Sequence, residues 1–281
     1  MGRIVAVANQ KGGVAKTTSV VSLGAAFADA GLRVLLVDLD AQACLTFSLG
    51  VDPEDVELSV SDVLLDGVPA AEVARRLDDG VDLLPATFDL SGVEAMLLPV
   101  DDRERVLRGA LEAVGDSYDV VLLDCSPSLG LLTLNALGAA DEVVIPVQCE
   151  MLSHRGVGQL LDTVADVQRL LNPNLRVRGL LPTMFDGRLA HARAVLADLA
   201  ERYEVPVLTP IPRSTRFAEA AGMGTSILRT ARRSAGALAY REAARELMAA
   251  WRPTRKPAAR SARRSTQSSQ RTPKRAATQR S

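Results

Sequence analysis

Short unbroken apolar runs alternate along this chain with longer segments whose apolar positions recur every three or four residues. The runs at 3–9, 33–38, 81–85, 119–124, 142–147, 176–182 and 205–208 predict strands. Segments 17–30, 59–65, 69–78, 88–97, 101–115, 129–138, 153–171, 188–202 and 234–250 carry helical spacing. Strands that are apolar throughout, not at alternate positions, are buried on both faces, and the intervening helices supply the cover. The pattern predicts a three-layer α/β fold over residues 1–251, with a mostly parallel twisted sheet between two helical layers.

Composition fills in this picture. Apolar residues make up 47% of the 281, enough for a full core, but aromatics only 3%, so Val, Leu and Ala must do the packing. No run of about 18 apolar residues occurs and no charged-then-apolar leader precedes the first strand, so a cytoplasmic protein is expected. Cys44, Cys125 and Cys149 are odd in number and form no C-x-x-C pair. They are expected to be small buried hydrophobes, neither disulfides nor cluster ligands. His154 and His191 have no metal-ligand spacing and are expected on helix surfaces, with Trp251 packing at the end of the last helix.

Charge changes the picture at the C-terminus. The net charge of −1 hides ten Lys/Arg and no acid in 252–281, which leaves 23 basic and 34 acidic residues, a net −11, in 1–251. The segment 252–281 is otherwise Ser, Thr, Pro, Ala and Gln and cannot bury a core, so a disordered basic tail is expected. Within the body, 213–233 holds Arg213, Arg216, Arg229, Arg232 and Arg233 against the single acid Glu219. Basic stretches on an acidic body suit local contact with a polyanion, or are simply solvated.

The chemistry lies first in Asn9-Gln10-Lys11-Gly12-Gly13-Val14-Ala15-Lys16-Thr17-Thr18, between the first strand and the first helix. A glycine-rich turn there aims backbone N–H groups and a helix N-terminus at one point, which suits a phosphate chain. Lys16 is placed to reach the β- and γ-phosphates, and the Thr17 hydroxyl to hold Mg²⁺. The common pattern G-x-x-x-x-G-K-[ST] requires glycine where Gln10 and Ala15 stand. Two further apolar strands deliver carboxylates at their C-terminal ends, where open α/β sheets bind ligands. These are Asp38 and Asp40 after Val34–Val37, and Asp124 after Val120–Leu123.

The loop, with Lys11 five residues before Lys16, resembles the deviant Walker A motif of the ParA/MinD ATPases, a P-loop NTPase group. The segments Asp38–Gln42 and Asp124–Gly130 resemble that family's acidic and Walker B motifs, with Ala41 in place of the usual proline. Further likeness runs through Asn135–Leu137, Ile145–Gln148, Thr183–Asp186 and Ile211–Arg213, as in the Soj/ParA partition ATPases. The resemblance implies that Lys11 crosses a dimer interface to the partner's nucleotide, that Asp40 orients the attacking water, that Asp38 supports the metal or the loop, and that Asp124 holds Mg²⁺ through water. Gly12 to Thr18 would cradle the phosphates, and Pro212, Arg213 and Ser214 would meet the adenine. Ser214 replaces the family's usual Asn, and Ala15 its usual Gly. Arg188 and Arg216 match surface arginines that grip the DNA backbone. The implied protein is an ATP·Mg²⁺-dependent homodimer that binds DNA without sequence preference, is stimulated by a ParB-type activator and associates with the nucleoid. Alternatives are a cargo-positioning ATPase of the same fold, a MinD-like division regulator on membrane, and a metabolic P-loop ligase or kinase.

Overall fold

The computed structural model describes residues 2–150 and 153–251. The basic segment 252–281 and the side chain of His154 lie outside the described residues. Seven strands form one sheet: β1 Arg3–Val7, β2 Val34–Leu39, β3 Arg75–Arg76, β4 Asp82–Leu84, β5 Val120–Cys125, β6 Glu142–Gln148 and β7 Arg176–Thr183. Their order is β3-β4-β2-β5-β1-β6-β7, with every pairing parallel except β3 on β4. This is the expected mostly parallel sheet, with the central strands β2, β5, β1 and β6 buried along nearly their whole length.

Period-two geometry divides each apolar strand between two cores. Ile4, Ala6, Leu35, Val37, Val121 and Leu123 pack on one face, and Val5, Val7, Val34, Leu36, Val120 and Leu122 on the other. The second core is closed by helix Lys16–Asp29, and helix Ala235–Trp251 packs against that helix in turn. Tyr240 is fully buried there, and its hydroxyl shares a 2.9 Å hydrogen bond with Ser19 Oγ. A Cβ on Gly24 would stand 2.7 Å from Leu36 Cδ2, so glycine lets the first helix lie close on β2. Trp251 packs as expected, 5.2 Å from the Phe27 ring, and donates to Glu142 Oε2 at 2.8 Å.

Three predicted elements differ. The helix expected at 69–78 stops at Val73, and Arg75–Arg76 pair antiparallel with β4 instead. The cause is the Asp79-Gly80 turn, where Gly80 takes φ 80° and Leu77 N donates to Val81 O. Segment 205–208 makes only a single bridge, Val207 to Leu180, because Pro206 has no N–H to extend a ladder. The helix expected at 101–115 is a 3₁₀ turn, Arg103–Arg105, followed by Val106–Glu112, with Asp102 in the left-handed region at φ 53°. Short helices at Cys44–Ser48, Arg216–Gly222 and Ile227–Thr230 were not anticipated.

Candidate functional site

The loop after β1 emerges between β5 and β6, at the C-terminal edge of the sheet. Gly12 and Gly13 are exposed, and Gly13 adopts φ 73°, a conformation glycine takes without strain. Asn9 braces the loop from below: its Nδ2 donates to Pro146 O at 2.7 Å and its Oδ1 accepts from Lys11 N at 3.0 Å. From the far side, Thr183 Oγ1 donates to the carbonyl of buried Val14 at 2.9 Å. Both residues lie in segments quoted from the sequence, but only the folded loop shows what they brace.

Ala15 caps the first helix with φ 64° and ψ 38°, and its carbonyl accepts from both Ser19 N and Ser19 Oγ. A Cβ in the left-handed region costs about 1–2 kcal/mol. Replacement by glycine relieves this but adds about 0.5–1 kcal/mol of chain entropy to be lost on folding. Ala15→Gly is therefore expected to stabilise the fold by about 0.5–1 kcal/mol net, measured as a higher urea midpoint at unchanged m value.

Lys16 and three acids meet above the sheet. Lys16 is buried, its Nζ 3.3 Å from Lys11 O, and desolvation lowers its pKa against the opposing pull of Asp124, Cys125 and Asp40. A buried ammonium held by one long hydrogen bond to a carbonyl is a cation suited to an incoming anion. Asp124 and Asp38 are register partners on β5 and β2, both buried. Thr17 Oγ1 donates to Asp124 Oδ2 at 2.7 Å, while Asp124 Oδ1 is buried without a partner. Burial and the neighbouring Asp38 push the Asp124 carboxyl well above the usual carboxylate range. Hard oxygen donors with one lone pair left open fit a magnesium ion that keeps its waters.

Asp38 serves the loop. Its Oδ2 accepts from Thr46 N at 2.9 Å and Thr46 Oγ1 at 2.8 Å, and its Oδ1 accepts from Asp40 N at 3.2 Å. Thr46 Oγ1 in turn accepts from Ala86 N at 3.0 Å. Asp40 is partly exposed, accepts from Gln42 N, and lies close enough to Lys16 to favour its charged form. Desolvation raises the Asp38 pKa from 3.8 to about 6. A carboxyl held above its unfolded value favours the folded state most when protonated. That contribution is present below pH 4 and is lost as pH rises through 6. Urea unfolding at pH 4.5 and 7.5 checks this: Asp38→Asn should flatten the fall in stability between the two.

The Lys11 side chain has a different partner from Lys16. Its Nζ pairs with Glu150 Oε2 at 2.7 Å, both side chains being substantially exposed. Beside Thr18, a cleft of about 270 Å³ is lined by Met184, Pro212, Arg213, Ser214 and Phe217. Ala15 and Thr18 of the phosphate loop form part of its lining. Cys125 and Cys149 are buried as expected, but Cys44 is exposed at the start of its short helix. That helix turns the residue outward beside the acids. His191 is an exposed helix residue, as expected.

The arginines divide. Arg213, Arg216, Arg232 and Arg233 are exposed. Arg188 is 90% exposed and pairs with Asp186 at 2.7 Å, and this pairing holds the Asp186 carboxyl down at about 2. Arg229 departs from the expected surface role. Its guanidinium donates to Asp29 Oδ1 at 2.8 Å and Asp79 O at 2.6 Å, which ties the turn after β3 to the first helix. Asp79 adds its carboxylate, 3.6 Å from Arg229 Nε, and nothing local in the sequence signals either contact.

Residues 2–177 match the family model described as an AAA domain. The sporulation initiation inhibitor protein Soj of Bacillus subtilis is 45% identical over 251 residues, covering 89% of this chain and 99% of Soj. The chain belongs to the Soj/ParA family of P-loop ATPases. The chromosome partitioning protein ParA of Myxococcus xanthus is 40% identical over 250 residues, 88% of each chain. A Mycobacterium smegmatis structure described as cobyrinic acid a,c-diamide synthase, with bound ATP analogue and magnesium, superposes with TM-score 0.83 at 52% identity, covering 91% of this chain and 98% of that one. The cell division ATPase MinD of Pyrococcus furiosus gives TM-score 0.75 at 27% identity. In this Soj/ParA chain the deviant loop and the acids of β2 and β5 lie within residues 2–177 of the family match.

Proposed function

We propose that this chain is an ATP-hydrolysing dimerisation switch that binds DNA without sequence preference and drives chromosome or plasmid partitioning, its turnover stimulated by a ParB-type partner. The observation that carries the reading is the division of labour between two lysines on one loop. Lys16 is buried and turned inward, where a single chain's own nucleotide would sit. Lys11 stands at the surface on Glu150, and a surface lysine adds charge to a phosphoryl group only when another subunit brings one to it. Glu150 must then release Lys11, an exchange that an exposed ion pair worth about 0–1 kcal/mol permits.

Within one subunit, Gly12 to Thr18 hold the phosphates and Lys16 neutralises them. Thr17 and Asp124 would hold magnesium, and the ion would supply stabilisation of negative charge on the phosphoryl group. Asp40 orients water, Asp38 keeps the Asp40–Thr46 loop in place, and Pro212 to Ser214 border the base. The relatives named for chromosome partitioning support the cellular role, and the structures holding an ATP analogue with magnesium support the ligands. DNA contact is assigned to Arg188, Arg216, Arg213, Arg232 and Arg233 with the tail, on an otherwise acidic body. Arg229 is left out because its guanidinium is engaged. No described helix is long and apolar enough to cross a membrane.

Lys11→Ala tests the switch. It is expected to keep nucleotide binding to the monomer while losing the ATP-induced dimer in sedimentation. A variant that dimerises and hydrolyses normally would show that Lys11 has no role across the interface. A second reading, amide synthesis, is favoured by the description of the M. smegmatis structure. It requires a carboxylic acid acceptor and a nitrogen donor, so phosphate release with neither present separates the two.

A further inference from the structure

Helix Leu131–Ala139, which follows the Asp124 strand, begins at Gly130, and Gly130 has no side chain with which to cap it. The first amides of a helix need acceptors, normally a Ser, Thr, Asp or Asn at that position. Here the acceptor comes from another element. Glu94, on the helix Leu90–Leu97, accepts from Leu132 N through Oε1 at 3.0 Å. A Cβ built on Gly130 would lie 2.4 and 2.6 Å from the two carboxylate oxygens. Gly130 is extended, with φ −77°, a conformation open to any residue. Glycine stands there to leave room for the carboxylate.

The capped helix forms one end of a short loop, and β5 forms the other. Only Ser126–Gly130 separate Cys125 from Leu131. Inside it the Ser126 and Ser128 hydroxyls pair at 2.9 Å, and Thr133 Oγ1 donates to Ser128 O at 2.7 Å. This loop begins two residues after Asp124, whose Oδ1 is buried and unpartnered. A buried carboxylate oxygen takes any donor that can reach it, since leaving it unmet costs about 1–3 kcal/mol. The loop carries such donors: two hydroxyls, and the amides of every residue but Pro127. The far end of the loop is held by Glu94 on Leu132 N and by Thr133 on Ser128 O.

We infer that Glu94 is a positioning residue: by capping Leu132 in the space left by Gly130, it holds Ser126–Gly130 away from Asp124 and keeps Asp124 Oδ1 open to the waters of a bound magnesium ion. This rests on the reading of Thr17 and Asp124 as the magnesium corner. Without the carboxylate, the helix start loses its acceptor, the loop slackens, and a loop donor closes on Oδ1.

The test is binding of a fluorescent ATP analogue to the full-length protein, titrated with Mg²⁺ and repeated in EDTA. Wild type should bind more tightly as Mg²⁺ is added. Glu94→Ala should need about tenfold more Mg²⁺ for half the effect, the scale seen when a metal ligand's support is removed, with affinity in EDTA unchanged. Glu94→Gln keeps an acceptor oxygen and should restore most of the response. Gly130→Ala should reproduce Glu94→Ala by expelling the carboxylate, and the double variant should be no worse than either single one. A merely structural role would weaken binding with and without Mg²⁺ alike. Wild-type Mg²⁺ dependence in Glu94→Ala, or in Gly130→Ala should the first variant not fold, overturns the role of Glu94 alone, as does an additive double variant. A wild type indifferent to Mg²⁺ removes the magnesium corner and the role of Glu94 with it.

Discussion

Lys16→Ala is expected to lower ATP affinity by at least about 100-fold, roughly 3 kcal/mol, in an equilibrium binding assay. The side chain is buried, its charge opposed by desolvation, and its ammonium bonds a carbonyl at 3.3 Å. A phosphate chain would give it hydrogen bonds to charged oxygens in place of one long bond to an uncharged carbonyl. The same geometry separates lost binding from lost folding. Removing an ammonium that desolvation disfavours should leave the nucleotide-free protein as stable as wild type or more so. Undiminished affinity would remove the phosphate role of the loop.

Asp40→Ala should have the largest effect on turnover: phosphate release falling by about 10²–10⁴-fold, while ATP binding persists and the ATP-bound dimer accumulates. Asp40 is the one acid of the three that is partly exposed, and its hydrogen bonds are local: Oδ1 accepts from Gln42 N, its carbonyl accepts from Ala43 N, and its N–H donates to Asp38 Oδ1. It can therefore turn toward water without unpacking the sheet. Asp38 and Asp124 are buried in paired strands and cannot. Sedimentation showing a monomer at saturating ATP would contradict this role.

Much of the site was legible because its parts are local in sequence. A loop between one strand and one helix, and acids at two strand ends, need only the rule that parallel strands present their C-terminal ends together. The sheet was legible for the same reason, its central strands being continuous apolar runs. What sequence missed was long-range or conformational. Thr183 bonds Val14 across 169 positions, and Glu94 meets Leu132 across 38. Arg229 looked like part of a basic surface until Asp29, 200 positions away, claimed it. Cys44 was expected inside because cysteines usually are, but a five-residue helix turns it outward. The hairpin at Arg75–Asp82 was hidden by helical spacing that its Asp-Gly turn overrides. Asp38, expected to support either metal or loop, has its hydrogen bonds with Thr46 and Asp40.

The central claim is that nucleotide state controls a non-specific grip on DNA by an acidic body. The direct measurement is a salt titration of binding to two unrelated duplexes of equal length, with ATP·Mg²⁺, with ADP and with no nucleotide. The account predicts binding only with ATP, equal on both duplexes, with a log–log salt slope of about 0.9 per phosphate contacted. Arg216→Ala should weaken that binding and leave the dimer intact. Equal binding without nucleotide, or strong preference for one duplex, would contradict it.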